Sequence, residues 1–273
     1  MKNILLLSDF SANSINAIHY AMHFFKNQKC KFHLMNVHKM GSFTSDDLMR
    51  FPGESIYQSI TREPKGKLYV LKAELENTYK NFDYQFEIHI DFDVFIDAIN
   101  QAVVSRNIDF VVMGTNGATG AKEILLGSNT INVIRKVDCK ILAIPEGYRF
   151  RPIKELLLSV GPRDVIDGNQ FTDLLEFMET YQLHLNVLRL MPNKENLDIV
   201  KQDRSSLSIL NCKYNVVNMV PIDYAVLSYL QTNTVDFMAL FVRHEGFLEH
   251  LFSKGNTKIN ISKLPKPILV LHN

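Results

Sequence analysis

Asp109-Phe110-Val111-Val112-Met113-Gly114-Thr115-Asn116-Gly117, followed after nine residues by Gly127-Ser128-Asn129-Thr130, is the stretch that decides the fold. Asp109 to Met113 is a short apolar run of strand type that ends on a glycine, and Ser128 to Lys136 has helical spacing with Arg135 and Lys136 in its last turn. A glycine-rich loop therefore leaves a buried strand and enters a helix. In an open parallel sheet such a loop lies outside the carboxyl ends of the strands, where ligands bind. Glycine allows main-chain amides to approach a ligand closely, and the first amides of a helix have no acceptor within it. Together these features make a cradle for an anion. The alternative is that Gly114 and Gly117 only shape a turn while Ser128 caps a helix.

Working outward, Ile4 to Ser8 reads as a strand, Ile15, Ile18, Met22 and Phe25 recur with helical spacing, and Lys31 to Val37 reads as a second strand. A polar loop from Gly41 to Glu54 and a charged helical stretch ending near Lys80 follow. Tyr84 to Ile90 alternates as a strand, Val94 to Val104 reads as a helix, and Lys140 to Ile144, stopped by Pro145, closes the unit. Strands alternating with helices imply a parallel sheet covered on both faces.

The pattern then begins again. Glu155-Leu-Leu-Leu-Ser159 echoes Ile4-Leu-Leu-Leu-Ser8, and Phe171, Leu174, Leu175 and Met178 mark a helix. Strands are expected at His184 to Leu190 and Tyr214 to Met219, a helix at Asp223 to Leu230, and strands at Asp236 to Leu240 and Pro267 to Leu271. The offset between copies falls from 151 at Glu155 to 127 at Asp236, which places the length difference after Val37. The expected architecture is one α/β unit duplicated: two tandem five-stranded parallel-sheet domains, 1–148 and 149–273.

The 273 residues suffice for two such domains, and 46% hydrophobic with 22% charged residues is a globular composition. A net charge of +1 gives no global field for nucleic acid or an anionic membrane. Cys30, Cys139 and Cys212 have neither C-x-x-C spacing nor an even count, which suits a reducing compartment. The apolar start at Ile4 to Leu7 is too short for a secretory signal, so a cytoplasmic location is expected.

Several chemistries find no support. The P-loop pattern requires Lys before Ser or Thr, and Gly127 stands there instead; the dinucleotide fingerprint belongs after the first strand. His244-Glu245 and Glu249-His250 offer metal-ligand types, but six residues place the histidines on different faces of a helix. Asp91 and Asp93 read as turn residues before a helix rather than an acid–base pair. Phe24, Phe25, Phe237, Phe241, Phe247 and Phe252 read as core or interface, since no basic residues interleave them as nucleic-acid binding requires. No nucleophile elbow surrounds any serine.

The spacing Gly114-x2-Gly117-x9-Gly127-Ser128 resembles the ATP-binding signature of the universal stress protein family, G-x2-G-x9-G-(S/T). Ser8-Asp9-Phe10-Ser11, Asn36-Val37-His38 and Lys140 to Pro145 resemble that family's other landmarks, so the likeness covers nearly all of residues 1–146. It implies a tandem member with Rossmann-like domains of the adenine nucleotide alpha hydrolase type, paired through strands near Lys140 and Pro267. It also implies ATP, ADP or AMP in the first domain, with magnesium able to accompany ATP. The implied binding set is Ser8, Asp9, Val37, Met113, Gly114, Asn116, Gly117, Gly127, Ser128, Asn129 and Thr130. Asp9 would face the adenosine part, Val37 the adenine edge, and Gly127 to Thr130 the phosphates; Asp9 as a cap for the first helix is the other reading.

In the second half, Val160 takes the place of Asp9, and Phe241, His244 and Lys254 take those of the three glycines, so this copy is expected to be degenerate. A one-residue shift aligns Gly255-Asn256-Thr257 with Gly127-Ser128-Asn129. The expected function is nucleotide binding with stress adaptation as the family role, as an intramolecular pseudo-dimer that can associate further into a homodimer. The alternatives are a slow ATPase or nucleotidyl-transfer enzyme, for which no catalytic constellation is seen near Lys122, and a ligand-free scaffold.

Overall fold

The computed structural model describes residues 1–38, 56–115, 127–192, 196–242 and 266–272. In the N-terminal half the chain runs β1 (Lys2–Leu7), α1 (Ala12–Phe24), β2 (Cys30–Val37), α2 (Ile56–Thr78), β3 (Tyr84–Asp91), α3 (Phe95–Ser105), β4 (Phe110–Gly114), α4 (Ser128–Lys136) and β5 (Lys140–Ile144). The C-terminal half runs β6 (Glu155–Val160), α5 (Gly168–Tyr181), β7 (His184–Met191), α6 (Leu197–Ser206), β8 (Lys213–Asn218), α7 (Ile222–Thr232), β9 (Phe237–Val242) and β10 (Ile268–His272). All ten strands belong to one sheet, in the order β3-β2-β1-β4-β5-β10-β9-β6-β7-β8.

Every pairing within a half is parallel, as the alternation of strands and helices requires. The halves meet where β5 and β10 pair antiparallel, with Leu142 opposite Leu269. Each half is thus the five-stranded parallel unit expected, and the strands near Lys140 and Pro267 do pair. The duplication shows in the palindromic order, which reads outward-to-centre as 3-2-1-4-5 and 8-7-6-9-10. The extra length of the first copy lies between β2 and β3, where α2 has 23 residues and its counterpart α6 has 10.

Burial explains the layering. Inner strands such as β4 and β9 are almost continuously apolar because both their faces are covered. On one face α1, α2 and α5 lay Ile18, Phe25, Leu68, Leu75 and Leu174 onto Leu6, Phe32, Leu156 and Phe237. On the other, α3, α4 and α7 lay Ile99, Ile134 and Val226 onto Leu5, Val111, Leu157 and Met238. Each apolar layer runs through both halves.

Side chains also tie the seam. Phe24 of α1 packs on Tyr181, Phe177 and Phe237 at 4.6, 6.0 and 5.9 Å between ring centres. Lys140 bridges to Asp173 of α5 at 2.8 Å, and Gln28 donates to the Tyr181 hydroxyl at 2.8 Å. His272 at the end of β10 places both ring nitrogens 2.8 Å from carbonyl oxygens of the other half, those of Cys139 and Ile134.

The helix α6 is absent from the sequence expectation. Asn196 caps it by accepting from the amides of Asp198 and Ile199. Its buried position is Asp203, a charged residue that spoils the apolar periodicity by which a helix is recognised.

Candidate functional site

Strand order reverses between β1 and β4, so the crevice of a doubly wound sheet opens between their carboxyl ends. The first wall is the turn after β1. Ser8 is buried, its amide donates to the Met35 carbonyl, and its Oγ accepts from the Phe10 amide at 3.1 Å. Phe10 has φ of 62°, a left-handed conformation unusual for an aromatic residue. That turn swings the chain away from the sheet and exposes Asp9 at the mouth. Asp9 Oδ1 accepts from both the amide and the hydroxyl of Ser11, at 3.0 and 2.6 Å. Ser11 is the residue that caps α1, accepting from the Ser14 amide, so Asp9 orients the cap and does not supply it.

The second wall is β2. The Met35 carbonyl faces β1 and the His38 amide faces β3, donating to the Asp91 carbonyl at 2.8 Å. Main-chain groups alternate in direction along a parallel strand. Those of Val37 therefore turn to the side that β1 has just left, the edge a planar base would meet. His38 is held by its Nδ1 at 2.8 Å from the Asn36 amide oxygen, and Asp91 and Asp93 accept main-chain amides in the turn before α3.

The floor is the end of β4. A side chain on Gly114 would put its Cβ 2.6 Å from the Asn13 amide nitrogen, because α1 crosses directly over this strand end. Glycine is favoured here by the packing of α1 through Asn13, independently of any ligand. Met113 is buried in the layer under α3 and α4, and the Thr130 hydroxyl is buried too, donating to the carbonyls of Gly114 and Thr115. These two side chains build the floor and do not reach the crevice. The Gly127 amide donates to the Thr115 carbonyl at 2.7 Å, pinning the start of α4 beside the end of β4.

Helix α4 has Gly127 at its cap position, so no side chain of the cap residue meets its first amides, and Ser128 and Asn129 are exposed. Its first-turn amides have no acceptor within the helix and carry the positive end of its dipole, while Arg135 and Lys136 complement the other end. Ser8, Asp9, Val37, Gly114, Gly127, Ser128 and Asn129 are thus brought around one crevice, with Met113 and Thr130 buried beneath it. Asn116 and Gly117 lie outside the described residues, as do Lys122, His244, His250, Lys254 and Gly255.

The corresponding place in the second half is filled. Val160 pairs with Arg189, in the positions that Ser8 and Asn36 hold in the first copy, because Ile4 and Leu6 share a face with Leu156 and Leu158; Gly161 therefore stands where Asp9 does, one residue on from the sequence expectation of Val160. The Arg189 side chain is fully buried. It makes a bidentate pair with Asp203 of α6 and donates to the carbonyls of Gly161 and Asp164. Tyr214 donates to Asp203 at 2.6 Å, and burial together with that carboxylate pushes its hydroxyl well above the usual tyrosine range. A guanidinium, a carboxylate and a phenol therefore occupy the end of β7. Sequence alignment of the copies slips by one residue at β6 and does not single out Arg189, because both depend on which face of the sheet a side chain joins.

The family model described as "Universal stress protein family" matches residues 1–145. A universal stress protein of Methanocaldococcus jannaschii is 36% identical over 87 residues, 31% of this chain and 50% of that protein. A second from the same organism is 25% identical over 150 residues, 52% of this chain and 81% of its own length. The chain thus spans about half the length of the first relative. The crystal structure of a universal stress protein from Archaeoglobus fulgidus superposes with a TM-score of 0.69 at 17% identity, covering 99% of this chain and 96% of that one. That likeness concerns the fold and extends it over both halves.

Proposed function

The chain belongs to the universal stress protein family, and from that premise we propose that its N-terminal crevice binds an adenine nucleotide, ATP, ADP or AMP, as a binding module in stress adaptation rather than as an enzyme. The observation that carries this reading is the start of α4 at its Gly127 cap position, pinned beside the strand-order reversal, where phosphate oxygens meet main-chain amides. The main chain of Val37 suits the adenine edge and Asp9 suits ribose hydroxyls. Magnesium would enter with the phosphates of ATP. The three free thiols suit a reducing compartment such as the cytoplasm.

Gly127→Asp tests the assignment. Gly127 has φ of −61° and ψ of 151°, which any residue adopts, and aspartate is a good helix cap. The variant is expected to keep its fold while placing a carboxylate where phosphate belongs. Calorimetric titration with ATP, ADP and AMP should show at least a ~100-fold loss of affinity, since about 1.4 kcal/mol is lost per tenfold and a buried like-charge contact exceeds that. Undiminished affinity in the variant refutes the site. ATP turnover above that of Gly127→Asp would instead favour an enzyme.

A further inference from the structure

Away from the crevice, the β2–β3 edge carries a group of side chains that nucleotide binding does not use. His33 on β2 lies opposite Glu87 on β3, and Met35 lies opposite His89. Alternation along the strands puts His33, Glu87 and His89 on one face, while Phe32 and Phe86 turn to the core on the other. His33 Nδ1 is 2.9 Å from His89 Nε2, and Glu87 Oε2 is 3.6 Å from the first and 3.8 Å from the second.

We propose that His33, Glu87 and His89 form a binding site for a divalent transition-metal ion of the zinc class. Three atoms with those separations share a point about 2.0 Å from each, the length of a zinc–nitrogen or zinc–carboxylate bond. Two imidazoles and one carboxylate are a zinc donor set that leaves a fourth position open. Glu87 is already aimed, because Lys31 holds its other oxygen, Oε1, at 2.6 Å. It is also half-exposed, which gives an ion a way in.

Proton placement shows what an ion would displace. The Arg106 guanidinium can only donate, so His89 Nδ1, at 3.1 Å from it, accepts. His89 Nε2 then carries the proton and donates to His33 Nδ1, which leaves the proton of His33 on Nε2. That nitrogen is buried and has no hydrogen-bond partner among the described residues. An ion on His33 Nδ1 leaves that proton in place and displaces only the His89 proton that lies between the two rings. Burial also holds both imidazoles below their ordinary protonation range, His89 at about 4, so the rings are neutral as metal ligands must be. When Nε2 binds an ion, His89 carries its proton on Nδ1, and Arg106 must release that atom. Arg106 is thus the competing cation, with Lys31 the other positive group facing the site.

The test uses the full chain stripped of metal by chelation, titrated with zinc chloride by calorimetry and with cobalt chloride by visible absorption. One zinc per chain is expected, with the absorption of four-coordinate cobalt. Affinity should fall at least ~10-fold in His89→Ala and in Glu87→Gln. It should rise in Arg106→Gln, which removes a charge and offers an oxygen to the Nδ1 proton. Glu87 is exposed enough for its variant to fold, and circular dichroism checks both. A chain that takes up no zinc, or whose zinc affinity ignores these substitutions, overturns the site.

Discussion

Gly114 shows how a single residue serves two demands that look alike in sequence. Its place in a glycine-rich ligand loop suggests closeness to phosphate, whereas the coordinates put α1 against it, with Asn13 within 2.6 Å of any added Cβ. Gly114→Ala must therefore displace the buried Asn13 side chain, push α1 outward or shift the end of β4. Overpacking of this kind costs about 1–3 kcal/mol. We expect a lower midpoint in urea denaturation and weaker nucleotide binding as well, since α1 starts at the Asp9 turn. A variant as stable as the parent would show that Asn13 yields. Asp9 is the converse case, because it is exposed and its carboxylate holds Ser11 rather than packing in the core. Its removal is expected to loosen the turn without disturbing the core.

At the scale of elements, apolar runs and helical periodicity located nearly all the strands and helices within a residue or two, since inner strands covered on both faces must be continuously apolar. The short helix α6 escaped, because the residue it buries is Asp203. The strand end at Gly114 and the helix start at Gly127 were legible for a similar reason, since both signals are local in the sequence, while the loop between them lies outside the described residues. The groups that fill the second site were not legible, nor was the His33, Glu87 and His89 group, because both depend on strand register across residues far apart in the chain. The buried pair of Arg189 and Asp203 yields a prediction at this scale. Asp203→Ala leaves a buried guanidinium facing only the carbonyls of Gly161 and Asp164. Breaking one side of such a pair costs about 3–5 kcal/mol. Chemical denaturation followed by circular dichroism should register that loss, and a change below ~1 kcal/mol would mean that Arg189 reaches water and does not seal the end of β7.

For the whole molecule, one sheet and two shared apolar layers make the halves structural equals, yet the side chains at the ends of β2 and β7 differ. Because β5 and β10 run antiparallel, the carboxyl ends of the two sets of parallel strands lie at opposite edges of the sheet. The two crevices of the duplicated fold therefore face away from each other and cannot share one nucleotide. Whether the molecule binds one nucleotide or two depends on the second crevice alone, where Arg189, Asp203 and Tyr214 stand at the end of β7. A phosphate could be attracted to a free guanidinium, but this one is already neutralised bidentately by Asp203 and has lost its access to solvent. We accordingly expect calorimetry to return one adenine nucleotide per chain, abolished entirely by Gly127→Asp. Binding at saturating ligand should also raise thermal stability, by about 2.7 kcal/mol at a hundredfold excess over Kd. A second equivalent that survives Gly127→Asp would place a working site in the C-terminal half and require the Arg189 pair to open, which Asp203→Ala would then make easier.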